Sequence, residues 1–165
     1  MWSVRTNCIV VFLIVYILSH SACSTAMDPI LRKQCDVWVK TFYKIPSKER
    51  PNRFVNYNME DQYAIFICGN EVIHPPAMYT AELFAMNGKT AIDFLKAKLS
   101  QAKYDPTIRD IILVFREMHR QRNYNVSSDS DLMRLITERV ELMKQKGWKE
   151  IVEKWVAEIQ QGWKE

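Results

Sequence analysis

Most of the short patterns that announce chemistry are missing from this chain. It has no H-E-x-x-H, no C-x-x-C pair and no G-x-S-x-G. The first two absences remove the common zinc signatures, and the third removes the strained turn that exposes a serine nucleophile. Glycine is scarce, at four in 165 residues, and no low-complexity tract occurs, so the composition of a long disordered segment is lacking. No stretch alternates apolar and polar residues with strict period two, so no sheet is expected. No apolar run reaches the ~20 residues of a membrane-spanning helix. Charge of one sign is not concentrated either. Lys and Arg number 23 against 19 Asp and Glu, a net of +4, and residues 131 to 165 carry seven of each sign. Interleaved charges of that kind belong to solvated helix faces, so no nucleic-acid partner is expected. What remains is 48% hydrophobic and 25% charged, enough to bury the core of one domain.

The apolar residues are uneven along the chain. After Arg5, the run from Cys8 to Leu18 is apolar for 11 residues, and a small, polar stretch, Ser19 to Ala26, follows. This fits the core and cleavage region of a secretory signal peptide over residues 1–26. Ser24 and Ala26 sit three and one residues before a cut ahead of Met27. A second cut competes. Ser21-Ala22-Cys23 resembles the end of a bacterial lipoprotein signal, with His20 where such signals usually carry leucine. That resemblance implies lipid on Cys23 and a domain tethered to a membrane face. Either way the domain, residues 27–165, is expected to be periplasmic or extracellular, with the membrane touched only through the signal or the lipid.

Export changes the reading of the cysteines. Cys35 and Cys68 lie inside the domain. In an oxidising compartment they would form a disulfide closing a loop of about 34 residues, stabilising by roughly 3–4 kcal/mol. The alternative is two buried free thiols packed as small apolar groups. Zinc binding is not expected from two isolated cysteines, and no other metal or cofactor is expected.

Period-3.6 patterning covers the domain. Asp28-Pro29 reads as a helix start, and Leu31, Cys35, Trp38, Phe42 and Ile45 form one stripe that Pro46 ends. Residues 46–53 read as a polar loop. Asn58 and Asp61 open a helix expected to stop near Gly69-Asn70. Pro76 opens another, Ala77 to Asn87, closed by Gly88. Thr90 and Asp93 are the next capping pair, and Asp105-Pro106 repeats the Asp-Pro start. Asp129 or Ser130 caps a helix expected to end at Gly147, and Trp148, Ile151, Val152, Trp155, Val156 and Ile159 line the last one. The expectation is an all-α domain of about seven short helices packed as antiparallel α–α hairpins, HEAT-like or an irregular bundle. Gly147-Trp-Lys-Glu150 recurs as Gly162-Trp-Lys-Glu165, which a lysine- and glutamate-rich tail produces by coincidence.

Ile92-Asp-Phe-Leu-Lys-Ala-Lys-Leu99 followed by Asp105-Pro-Thr-Ile-Arg109 resembles one HEAT-type repeat, over roughly residues 89–121. The resemblance implies that Asp105 caps the incoming helix, that Arg109 packs across the helix pair, and that stacked hairpins present a partner-binding surface.

The domain holds two histidines. His74, ahead of two prolines, is expected to fix a helix entry. His119 is expected as a cation at a helix C-terminus. Asn125-Val-Ser127 fits a glycosylation acceptor. Glu60, Asp61, Glu71 and Glu82 could face a cleft, which gives the alternative of a hydrolase working through carboxylates near Glu71 and Glu82. A carrier of small apolar ligands is a further alternative. The leading expectation is an exported, non-enzymatic helical module that binds another protein. Tyr57, Tyr63, Tyr79 and Tyr124, at helix ends and loops, are the expected partner contacts.

Overall fold

The computed structural model describes residues 29–163 apart from Pro75, and side chains from residue 33 onward. The signal segment 1–26, Cys23, Met27 and the Asp28 cap lie outside the described residues. Eight α-helices occur among those described: α1 (Pro29–Lys40), α2 (Arg50–Phe54), α3 (Met59–Glu71), α4 (Tyr79–Ala85), α5 (Ile92–Gln101), α6 (Asp105–Arg120), α7 (Ser130–Glu141) and α8 (Lys146–Gln160). Short 3-10 turns at Phe42–Lys44, Gly88–Ala91 and Val126–Ser128 join them. No strand occurs among the described residues, and none of their helices is long and apolar enough to cross a membrane. The fold is all-α.

The arrangement is organised around α6. Its apolar stripe, Ile108, Ile111, Ile112, Phe115 and Met118, is buried as patterned, but so are Asp110, Leu113, Val114 and Glu117 on other faces. The helix is enclosed by α3, α4, α5, α7 and α8, with its most extensive contact along α8. Each fully buried Ile or Phe contributes roughly 1.5–3 kcal/mol, so this helix alone accounts for much of the core. At the other end of the molecule, Phe42, Phe54, Tyr57, Phe66 and Phe84 meet edge-on or tilted, with centroids 6.0–6.5 Å apart for Phe42–Phe54, Phe54–Phe84 and Phe66–Phe84.

α6 and α8 run parallel, with α7 between them in sequence. The start of α8 meets the start of α6, where the Arg109 guanidinium lies 4.2 Å from the Trp148 centroid. Midway, Arg116 lies over Trp155 at 5.7 Å and ion-pairs with Glu158. At the far end, Trp163 packs on His119 at 5.8 Å and donates its indole N–H to the His119 carbonyl at 2.9 Å. The two tryptophans of the repeated Gly-Trp-Lys-Glu therefore fasten opposite ends of one helix.

A disulfide joins Cys35 of α1 to Cys68 of α3. Because Trp38, later in α1, packs on Tyr57 just ahead of α3 while Cys35 bonds Cys68 near its end, the two helices run antiparallel.

Several boundaries differ from the sequence reading, each for a reason outside the local sequence. Residues 50–54 are helical rather than loop, with Pro51 in the first turn and Phe54 buried. α3 does stop beside Gly69-Asn70, at Glu71; Gly69 itself lies in the last turn against the Tyr43 hydroxyl, where a Cβ would fall 1.9 Å from that oxygen. Thr90 does not cap α5: Gly88, at φ +53°, starts a 3-10 turn that runs directly into the helix, and the Thr90 hydroxyl donates to Asn87 C=O. Gly147 lies in the first turn of α8, and α7 has already ended at Glu141. Asp105 caps a different element from the one expected. Its Oδ2 accepts from the backbone N–H of Lys144 and Gln145, at 2.8 and 2.6 Å, and so holds the link between α7 and α8.

Candidate functional site

A surface groove lies between α1 and α3, closed on one side by Lys98 of α5. It encloses about 480 Å³ against Val37, Trp38, Glu60, Tyr63, Ala64 and Lys98. On the far side of Tyr63 and Lys98 the depression continues for about 380 Å³ along Lys103, Tyr104 and Thr107. Both halves share Tyr63 and Lys98, so they form one surface with a waist.

The waist is built from three elements. Tyr63 of α3 packs edge-on against Phe94 of α5, centroids 5.7 Å apart. The Lys98 ammonium lies over both rings, 5.2 Å from Tyr63 and 5.0 Å from Phe94, and is held by Glu60 at 2.8 Å. A lysine so fixed keeps its position at little further cost in side-chain entropy. Burial, and then the Asp110 and Glu60 carboxylates, push the Tyr63 hydroxyl well above its usual range, so it remains a neutral donor. Trp38 stands edge-on to Tyr57 at 5.4 Å and forms the opposite wall. Two apolar residues face water here: Val37 at 55% and Tyr104 at 45% exposure.

Of the four tyrosines expected to contact a partner, the structure brings two to this surface. Tyr63 forms its waist and Tyr57 supports Trp38. Tyr79 is elsewhere, its hydroxyl accepting from Arg50 at 3.4 Å. Tyr124 donates to Asp129 at 2.7 Å, and burial together with that carboxylate pushes its pKa up to about 12. All four are half-buried and packed against the core. Val37, Lys98 and Tyr104 were not expected here. Val37 is the one signal available in sequence, an apolar residue beside the α1 stripe rather than on it.

The carboxylates divide differently from expectation. Glu82 of α4 meets Arg120 near the end of α6, at 3.5 Å, and is largely exposed. Glu71 meets Arg109 near its start, at 3.6 Å. Eleven residues of helix, about 16 Å at 1.5 Å per residue, separate the two arginines, so Glu71 and Glu82 are paired toward different ends of α6. The acid that Glu71 approaches is Asp110, which the same Arg109 nitrogen contacts at 2.6 Å. Asp110 is wholly buried.

His119 stands in the last turn of α6, as expected, but it is buried under Trp163, and desolvation works against the charged form and lowers its pKa, opposed by a hydrogen bond to the Gly162 backbone. His74 is exposed. Asn125 is half-buried, its side-chain oxygen accepting from Ser127 at 2.7 Å. No group of three or more His, Cys, Asp or Glu among the described residues is placed to hold a metal ion.

Neither a protein-family model, nor a curated protein, nor a solved structure matches this chain.

Proposed function

We propose that this protein is an exported, non-enzymatic helical module that binds another protein through the surface on either side of Tyr63 and Lys98. The observation that carries the reading is that surface itself. It combines fixed aromatic walls, a pinned cation and two exposed apolar side chains at its edges. Rigid aromatics flanked by charge are the usual anchors of a protein interface, because they bury area while losing little conformational freedom. Export is supported by the signal-like segment and by the Cys35–Cys68 bridge, since such bridges persist mainly outside reducing cytosol.

Two experiments test the parts separately. Mass determination of the mature N-terminus distinguishes a lipid-modified Cys23 from an unmodified start at Met27, and an intact residue 1 contradicts export by cleavage. Capture of a stoichiometric partner by the wild-type chain, weakened by Val37→Asp or Tyr104→Asp, supports the binding surface. Both positions are exposed, so the variants keep the fold.

A further inference from the structure

One wall of the groove, α1, is lightly attached. Among its described side chains, residues 33–40, Cys35 alone is buried. Trp38 and Val39 are half-buried, and Gln34, Asp36, Val37 and Lys40 face water. The helix packs on α3 and on the turn that follows it, and on no other described element to a comparable extent. Its wholly buried side chain is also the one tied covalently, to Cys68 in the buried second half of α3. Beyond the bridge, the ring contact of α1 is the edge-on approach of Trp38 to Tyr57 at 5.4 Å.

The chain is fixed again immediately after α1. Phe42 and Tyr43 are buried, and the Tyr43 hydroxyl donates to the Ile65 carbonyl. Thr41, at φ −106° and ψ −80°, breaks the helix just ahead of that anchor. A helix of twelve residues is marginal in water without packing. Segments with few buried apolar contacts open locally while the rest of a fold holds. In the chain-entropy model, a bridge between positions 33 apart favours the closed arrangement by roughly a few hundredfold.

We infer that the Cys35–Cys68 bridge is a redox switch for the groove: oxidised, it holds α1 in place as a wall, and with both cysteines reduced α1 comes loose up to Thr41. This rests on the groove reading, because it states when that surface exists. Gln34, Val37 and Trp38, the α1 share of the lining, all lie within three residues of Cys35. Glu60, Tyr63 and Lys98 stay in place on α3 and α5, whose own apolar residues are buried. On closing, the two thiols lose two electrons and two protons as one S–S bond forms, and a disulfide-bearing oxidant of the exported compartment is reduced to two thiols. In reducing cytosol the thiols persist, so the chain carries no completed binding surface before export.

Hydrogen exchange on the full chain tests the switch without a partner. Residues 33–40 are compared in oxidised wild type, in wild type held in reductant and in Cys35→Ala/Cys68→Ala. Protection there should fall about tenfold or more in the second and third samples while α6 stays protected. Capture from extract of the exported compartment reads the groove: the oxidised wild type should retain a partner that the double variant loses. Should the double variant not fold, the reduced wild type carries both readouts. Unchanged protection of residues 33–40 on reduction, or loss of α6 protection together with theirs, overturns the inference and leaves the groove reading standing. Equal capture with and without the bridge also overturns it. No partner for the oxidised wild type overturns the groove reading, and this inference with it.

Discussion

The hydroxyl of Tyr43 donates to the Ile65 carbonyl at 2.8 Å and fills the space where Gly69 has no side chain. Any Cβ at position 69 would meet that oxygen at 1.9 Å and the ring carbon bearing it at 2.9 Å. Gly69→Ala is therefore predicted to destabilise the fold by about 1–3 kcal/mol, although alanine is the better helix former. Thermal unfolding checks this. The penalty should shrink in a Tyr43→Phe background, where the nearest atom is gone; an equal penalty in both backgrounds would mean that the contact is not the cause.

Arg122 holds φ at 58° just past the end of α6. There its N–H bonds to His119 C=O at 3.1 Å and the Asn123 N–H to Met118 C=O at 3.0 Å, the pairing that closes a helix with a left-handed residue. Glycine is the residue that occupies this conformation without strain. Arg122→Gly is predicted to be more stable than Arg122→Ala by about 1 kcal/mol, because both remove the side chain and only glycine relieves the backbone strain. Equal stability of the two variants would show that position 122 stores no strain.

Asp129 acts three times. Its side chain accepts from Leu132 N–H at 3.0 Å to cap α7, ion-pairs with Lys96 at 2.7 Å and accepts from Tyr124. Burial alone would raise its pKa, but Lys96, the Leu132 N–H and the Tyr124 hydroxyl together hold it below the usual value. A depressed folded pKa contributes stability above the unfolded value and loses it as pH falls through the folded one. Asp129→Ala is predicted to cost ~1 kcal/mol or more at neutral pH from the cap alone, and the cost should fade in acid. Denaturant melts at pH 7 and pH 3 check it; equal costs at both would contradict the charged role.

Reducing the Cys35–Cys68 bridge, or replacing both cysteines with alanine, is predicted to lower stability by roughly 3 kcal/mol. Unchanged melting under reductant would show that the α1–α3 packing holds without it.

What could be read from sequence was what neighbouring residues decide. Asn58 accepts from Asp61 N–H at 2.9 Å, and Asp129 caps α7, both within one turn of their partners. Gly147 misled because glycine reads as a stop until its exposed place in the first turn of α8 is seen. Asp105 misled because its acceptor role serves a backbone segment some forty residues ahead. The pairing of Glu71 with Asp110 rests on where α3 ends relative to α6, which no local pattern encodes. The repeated Gly-Trp-Lys-Glu is the reverse case: a visible feature dismissed as chance, whose two tryptophans grip the two ends of α6.

The central claim, a partner held at the Tyr63–Lys98 surface, is tested most directly by quantitative capture from extract of the exported compartment. Wild type, Val37→Asp, Tyr104→Asp and the exposed control Ile151→Asp on α8, which lines neither half of that surface, should be compared at equal loading. A stoichiometric partner should be retained by wild type and by the Ile151 variant and reduced at least tenfold by the other two. Equal recovery by all four, or no stoichiometric partner for wild type, would contradict it.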